Sequence, residues 1–229
     1  MHQVETIDIK AELTGLAEAL KRVEQSCGGK VRWWVNRPTP EHDMAAQEHG
    51  LHQERDLLQL RRSLPLTEDL LNTSLEVRAF RPGYDEDAWL MVNNRAFAQH
   101  LDQGNWDRSK LESRMNEPWF DPEGFLIYEQ DGHIAGFCWT KVHNDDDPAT
   151  GEIYVIGLDP NYQGKGLSRS LLIAGLEWLA KKGLTTSMLY VDLANDSAVH
   201  LYKSMGFTVD HLERSYVGDI APSDSLNSN

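Results

Sequence analysis

The residues best placed to do chemistry form one stretch, Gln163-Gly164-Lys165-Gly166-Leu167-Ser168-Arg169, between an apolar, β-branched run at 153–156 and a long amphipathic segment. A strand feeding a glycine turn and then a helix can hold phosphate. The first-turn N–H groups have no intrahelical partner, glycines let a bulky anion approach the backbone, and Lys165 and Arg169 add positive charge. Glycines at this spacing also serve a plain turn, so the pattern alone leaves both readings open.

The whole chain sets wider bounds. A length of 229 residues accommodates one large or two small domains, and 40% hydrophobic with 25% charged residues is ordinary globular composition. The formal charge of −14 argues against a general nucleic-acid or anionic-membrane partner but leaves room for a local basic pocket. No run approaches the ~18 consecutive apolar residues of a membrane helix, and the N-terminal segment lacks the apolar core of a secretory signal. A cytoplasmic location is therefore expected. Cys27 and Cys138 stand far apart, which fits a reducing compartment, and the nine histidines are scattered without His-Glu-x-x-His spacing. No metal is expected.

Hydrophobic periodicity supplies the elements that must position the glycine turn. Leu13, Leu16, Leu20 and Val23 predict a helix stopped at Gly28-Gly29, followed by a strand at 31–35 and a helix at 41–49. Residues 56–64 remain open between strand and helix. The proline-broken stretch 65–74 reads as a linker. A second unit follows, with a strand at 75–80, helices at 85–100 and 107–114, and strands at 125–128 and 134–140 around Asp131-Gly132, a hairpin signal. Beyond the strand that begins near Gly151, the helix after Gly166 carries Leu167, Leu171, Leu172, Gly175, Leu176 and Leu179 on one face. It ends at Lys181-Lys182-Gly183. A strand at 188–191, a helix capped by Asn195, and short strands at 207–211 and 213–218 complete an α/β pattern. Residues 221–229 read as a polar, disordered tail.

A shift of 156 residues lays helix 12–25 on 168–181, strand 31–35 on 187–191, and Gly50-Leu51 on Gly206-Phe207. Leu16/Leu172, Leu20/Leu176 and Val35/Val191 are identities under that shift. The expectation is a repeat, with 1–64 a partial first copy whose own beginning is missing, 65–74 a linker, and 75–220 a complete copy. In the first copy the counterpart of the glycine turn, residues 7–12, has no glycine, and Ala46 stands where Tyr202 does. Packing or substrate shaping is the role left for it.

Gln163-Gly-Lys-Gly-Leu-Ser168 together with Asn195-x-x-x-x-His-Leu-Tyr-Lys-Ser-Met-Gly-Phe207 resembles the Gcn5-related N-acetyltransferase (GNAT) superfamily. Ser168 stands where a glycine or alanine is usual there. More narrowly, Val92-Asn-Asn-Arg-Ala-Phe97, Glu117-Pro-Trp-Phe-Asp-Pro122, Trp139-Thr-Lys-Val-His143 and the run 151–160 resemble the mycothiol synthases, whose tandem domains carry catalysis in the C-terminal one. The resemblance implies an α/β GNAT fold, with a mixed central sheet flanked by helices and preceded by a partial copy of the same fold. It implies acetyl-CoA as cosubstrate and no metal. The acceptor would be an aminothiol glycoside, the cysteine amine of a cysteinyl-glucosaminyl-inositol. The chain is expected to act as a monomer, without nucleic acid or membrane.

Carried over by position, the resemblance sets the thioester beside the backbone of Ile156, Gly157 and Leu158, and the pyrophosphate against Gln163, Gly164, Lys165, Gly166, Leu167, Ser168 and Arg169. Asn195, Asp196, Ser197, Ala198, Val199 and His200 would line the remaining CoA path. Glu152 would contact the acceptor and help deprotonate its amine, and Tyr202 would protonate the departing thiolate. Asp102, Lys141 and Tyr190 would contact the acceptor, while Trp139 and His143 shape the pocket without a chemical role. Read without the family, Glu152 is equally a strand-edge salt-bridge residue and Tyr202 a core aromatic with its hydroxyl at the surface. Lys141 and Asp102 could then be ordinary surface charges. Cys138, embedded in a strand, gives no support to an acetyl-cysteine intermediate, so direct attack in a ternary complex is expected. Two other functions stay open: a different small-molecule or protein N-acetyltransferase, and a noncatalytic CoA-binding or interaction module.

Overall fold

In a computed structural model the described residues are 6–71, 75–100 and 103–223. Residues 72–74 of the expected linker, Asp102, and 224–229 of the expected tail lie outside them. The chain divides into two contact units, 1–60 with 190–203 and 208–229, and 61–189 with 204–207.

In the first unit, alternation of Val31, Trp33 and Val35 gives β2 (Gly29–Asn36) one buried face. Helix α1 (Leu16–Ser26) contributes Leu16, Leu20 and Val23 to the same core, the i, i+4, i+7 spacing of a single helix face. The Trp33 indole N–H donates to the Ala11 carbonyl at 2.9 Å, which satisfies its one polar atom. Strand β1 (Ile7–Ile9) runs parallel to β2. Helix α2 (Pro40–Glu48) starts at Thr39, whose capping box with His42 and following proline mark its N-terminus. Residues 56–64, open in the sequence, belong to strand β3 (His52–Ser63). Leu58, Gln59 and Leu60 are buried in succession, as in a strand covered on both faces, and this hides the period of two. Strand β9 (Thr208–Ile220) pairs antiparallel with β2 from Gly29↔Ile220 to Asn36↔Glu213. It is one strand where the sequence suggests two, because β2 pairs with it along the whole of its second part. The order is β1-β2-β9-β3.

An ionic network ties these elements together. Arg214 on β9 donates to Asp56 at 2.8 and 2.9 Å and to Asp43 at 2.9 Å, while the Tyr216 hydroxyl donates to Asp43 at 2.6 Å. Burial, and then the Asp43 carboxylate it serves, push the Tyr216 phenol up to about 12.

The second unit has strand order β8-β7-β6-β5-β4, from β4 (Arg78–Ala79), β5 (Phe125–Gln130), β6 (His133–His143), β7 (Thr150–Leu158) and the start of β8 (Thr186–Asp192). Strands β4 to β7 pair antiparallel and β7 with β8 parallel, so the sheet is mixed. The β5–β6 turn has Asp131 at φ 53° and Gly132 at φ 76°, two positive values in succession as a type I′ hairpin requires. On one face, Trp89 and Val92 of α3 (Glu86–Ala96) and Leu111 of α4 (Arg108–Met115) join a core of aromatic rings. In it Phe125 stacks on Phe80 at 4.3 Å and on Trp139 at 4.2 Å. Expected strand 75–80 is reduced to β4, and beyond it Phe80 is held by this stacking and by its backbone N–H, which donates to the Phe125 carbonyl at 2.7 Å. On the other face lies α5 (Leu167–Lys181), with Leu171, Leu172, Leu176 and Leu179 buried.

Under the 156-residue shift, β2 falls on 185–192, α2 on 196–204 and β3 on 208–219. The observed elements there are β8, α6 (Asp196–Ser204) and β9.

Gly175 sets how closely α5 approaches the sheet. A Cβ there would lie 2.5 Å from Cys138 Sγ and 3.0 Å from Ile153 Cδ1. Gly175→Ala gains helix propensity but overpacks this contact, and urea unfolding should show a net loss of about 1–3 kcal/mol.

Candidate active site

Glu152 is the third residue of β7, where Thr150, Gly151, Glu152 and Ile153 are all buried. In the β6–β7 ladder it sits opposite Lys141, and Gly151 opposite Val142. The register then shifts, with Thr140 opposite Ile153 and Trp139 opposite Val155, so Tyr154 is the extra residue of a β-bulge. Tyr154 and Val155 therefore both reach the aromatic core, while Ile153 faces α5. Within this unit Glu152, Lys141, His143 and Tyr154 gather on one side of the sheet. His143 Nε2 lies 2.7 Å from Glu152 Oε2. The Lys141 ammonium sits 4.9 Å from the Trp119 ring centroid and 5.9 Å from that of Tyr154, and these rings meet edge to face at 5.0 Å. Burial pushes the Tyr154 phenol up; nearby Arg114 opposes this, and the Glu152 and Glu117 carboxylates add to it.

Farther along β7, Ile156, Gly157 and Leu158 pair with Cys138, Phe137 and Gly136 of β6. On the β8 side, among the described residues, the ladder consists of Gly151↔Ser187 and Glu152↔Met188. Among the described residues, the backbone of 156–158 thus has its ladder on the β6 side. Asp159, buried, accepts from the Asn161 N–H at 3.0 Å and from Arg95, which fixes the turn after the strand. Gln163 reaches back to donate to the Leu158 carbonyl at 3.2 Å. Gly164 and Gly166 both have positive φ, 74° and 78°, and a Cβ at either would meet nothing within 4 Å. The glycines are required here by backbone conformation, and the space over them is open. Gly166 is the N-cap of α5, and no side chain caps that helix start. Its first-turn amides suit a phosphate group. The Lys165 ammonium rests 5.1 Å from the Tyr162 ring centroid, and Arg169 donates to the Ser204 hydroxyl at 3.4 Å.

The other expected residues lie in the first unit. Asn195 caps α6, its side-chain oxygen accepting from the Ala198 N–H at 3.2 Å and the Ser197 hydroxyl at 3.1 Å. Asp196 and His200 on that helix are exposed, Val199 is half-buried, and Tyr202 is buried. Tyr190, on β8, accepts at its hydroxyl from Gln59 Nε2 at 2.6 Å. Asp102 lies outside the described residues. Cys138 is fully buried, and burial pushes its thiol up to about 12, which leaves it unsuited to nucleophilic work. Among the described residues no group of three or more His, Cys, Asp or Glu side chains gathers as a metal site needs, and no helix is long and apolar enough to cross a membrane.

A mixed sheet with helices on both faces, and a bulged strand running into a glycine turn at an uncapped helix start, define the GNAT class. The model of the Acetyltransferase (GNAT) family matches residues 87–207, and the chain belongs to that family. Acetyl-CoA is the cosubstrate of such enzymes, and the open glycine turn at a helix start without a side-chain cap fits its phosphates. Among curated proteins the chain is similar to the mycothiol acetyltransferase of Acidimicrobium ferrooxidans, at 50% identity over 89% of this chain and 68% of that one. It is 44% identical to that of Acidothermus cellulolyticus over 79% of this chain and 59% of the relative, and 46% identical to that of Thermobispora bispora over 85% and 68%. The chain thus spans about three fifths to two thirds of the length of these relatives. A solved GCN5-related N-acetyltransferase from Sphaerobacter thermophilus shares the fold, with a TM-score of 0.68 at 22% identity over 91% of this chain and 66% of that one. A tandem GNAT protein from the clavulanic acid biosynthesis pathway does so at 0.61 and 13%, over 93% and 69%.

Three contacts escaped the sequence reading: the His143–Glu152 hydrogen bond, the Trp119 and Tyr154 rings under Lys141, and the Gln59 donor on Tyr190. The expected strand at 134–140 ends short of Lys141 and His143, whereas β6 runs on to His143 and sets both residues against the start of β7.

Gly166→Ala should weaken acetyl-CoA binding at least tenfold by calorimetry, because an alanine held at φ 78° is strained by about 1–2 kcal/mol and the turn relaxes away from the anion.

Proposed function

We propose that the chain transfers the acetyl group of acetyl-CoA to the cysteine amine of a cysteinyl-glucosaminyl-inositol, converting desacetylmycothiol to mycothiol. The observation that carries this reading is the placing of a buried carboxylate, Glu152, beside a ring-held ammonium, Lys141. They lie on the strand pair whose next residues, 156–158, run into the glycine turn. The mycothiol acetyltransferase name of relatives at 44–50% identity supports the choice of acceptor.

In this reading the neutral amine attacks the thioester carbonyl carbon. Glu152 takes the proton lost from nitrogen, and a backbone N–H in the segment Ile156, Gly157 and Leu158 stabilises the charge on the carbonyl oxygen. The carbon–sulfur bond breaks, and the Tyr202 hydroxyl protonates the departing thiolate. Gln163 through Arg169 hold the pyrophosphate, and Asn195 through His200 line the rest of CoA. Lys141, Tyr190 and Asp102 contact the sugar-inositol part of the acceptor. Residues 75–220 form the catalytic copy of the fold. Residues 1–64 are a partial copy, which is supported by the coincidence of β2, α2 and β3 with β8, α6 and β9 under one shift. The protein acts as a cytoplasmic monomer that needs no nucleic acid or membrane.

Purified protein with acetyl-CoA and desacetylmycothiol should yield the N-acetylated product by mass spectrometry. Folded protein that binds acetyl-CoA yet transfers nothing to this amine would direct the search to another acceptor. Glu152→Gln and Tyr202→Phe should each lower kcat about 10²-fold or more while acetyl-CoA affinity stays within a few-fold of wild type. Unchanged turnover in both variants removes these roles.

A further inference from the structure

His143 is a titratable side chain to which the roles above give no work. It ends β6, one residue beyond Val142 and two beyond Lys141, and its Nε2 stands 2.7 Å from Glu152 Oε2 with side-chain exposures of 24% and 10%. Among the described residues it is the hydrogen-bond partner of that carboxylate. Lys141 is directly opposite Glu152 in the ladder, but its ammonium is turned onto Trp119 and Tyr154 and makes no ion pair with Glu152 among the described residues. Tyr154, two residues along the same strand, meets Trp119 and Trp139 by ring contacts.

The carboxylate is therefore held at one oxygen, by one group, from one side. A base that must meet an amine in a fixed direction needs such a constraint. A free carboxyl rotor presents either oxygen in several orientations, and a misdirected base loses rate without losing binding. We propose that His143 is a positioning residue for acyl transfer: its Nε2–H donates to Glu152 Oε2 and leaves Oε1 to receive the amine's proton. This rests on the reading of Glu152 as the base. It requires the tautomer, or the protonated ring, with hydrogen on Nε2, which the short contact to a carboxylate favours.

The test compares three replacements at one position. His143→Ala removes the donor. His143→Gln restores an amide donor of similar reach. His143→Leu restores the bulk without the donor. If His143 positions Glu152, kcat falls about tenfold or more in the Ala and Leu variants and recovers to within about threefold in Gln, with the KM for acetyl-CoA within twofold throughout. A group that only packs gives the reverse order, with Leu restored and Gln not, and that result overturns the proposal, as does full activity in all three. In a Glu152→Gln background, His143→Ala should cost nothing further, since the two act as one unit; an additive loss also overturns it. Wild-type protein inactive on the aminothiol overturns only the acceptor assignment. The positioning contact is then judged in the resting protein by imidazole 15N spectra, where a protonated, hydrogen-bonded Nε2 should lose its carboxylate partner on Glu152→Ala. An unchanged spectrum overturns it.

Discussion

One extra residue in one strand organises the second unit. Before the bulge, Glu152 and Tyr154 share a side of β7, and Ile153 turns toward α5. After it the parity is reversed, so that Val155 and Gly157 face the aromatic cluster. A strictly alternating strand has to keep one face apolar along its length. The bulge lets a single strand place a carboxylate at one end and a core valine at the other on the same side of the sheet, three residues apart. The aromatic stack through Phe80, Phe125 and Trp139 braces β6 opposite the shift.

Charge is handled locally in a chain of net −14. Arg214, Asp43, Asp56 and Tyr216 satisfy one another in the first unit, and Arg78 with Asp85 does the same at the start of the second. Burial opposes ionisation of Asp85, but hydrogen bonds from Arg78 and Arg81 outweigh it and hold the carboxyl below its usual range. Around Glu152 the arrangement differs: the nearest ammonium is occupied by aromatic faces, and the carboxylate is answered by an imidazole. Lys165 lies exposed at the glycine turn, and Arg169 makes a long contact to a serine hydroxyl.

Much of this was legible beforehand. The 3.6-residue period of Leu171, Leu172, Gly175, Leu176 and Leu179 located α5, and the Asp131-Gly132 pair located the hairpin, because each signal is local and carries its own backbone requirement. The glycine turn could be placed for the same reason. Strand β3 could not, since three consecutive buried residues erase the alternation that identifies a strand. The His143–Glu152 contact was hidden because the expected strand stopped at residue 140, whereas β6 continues to His143 and pairs there with the start of β7. The Gln59–Tyr190 bond joins residues 131 apart in sequence, a distance at which residue type gives no hint of partner.

The antiparallel pairing of β2 with β9 has a consequence for how the molecule is made. Gly29 through Asn36 are synthesised well before their partners, Glu213 through Ile220. At roughly 5–20 residues per second, the edge of β2 waits on the order of ten seconds or more for its neighbour. Until then β1 lies along one edge of β2 and α1 shares its apolar core, while the other edge keeps unpaired backbone groups that another chain could meet.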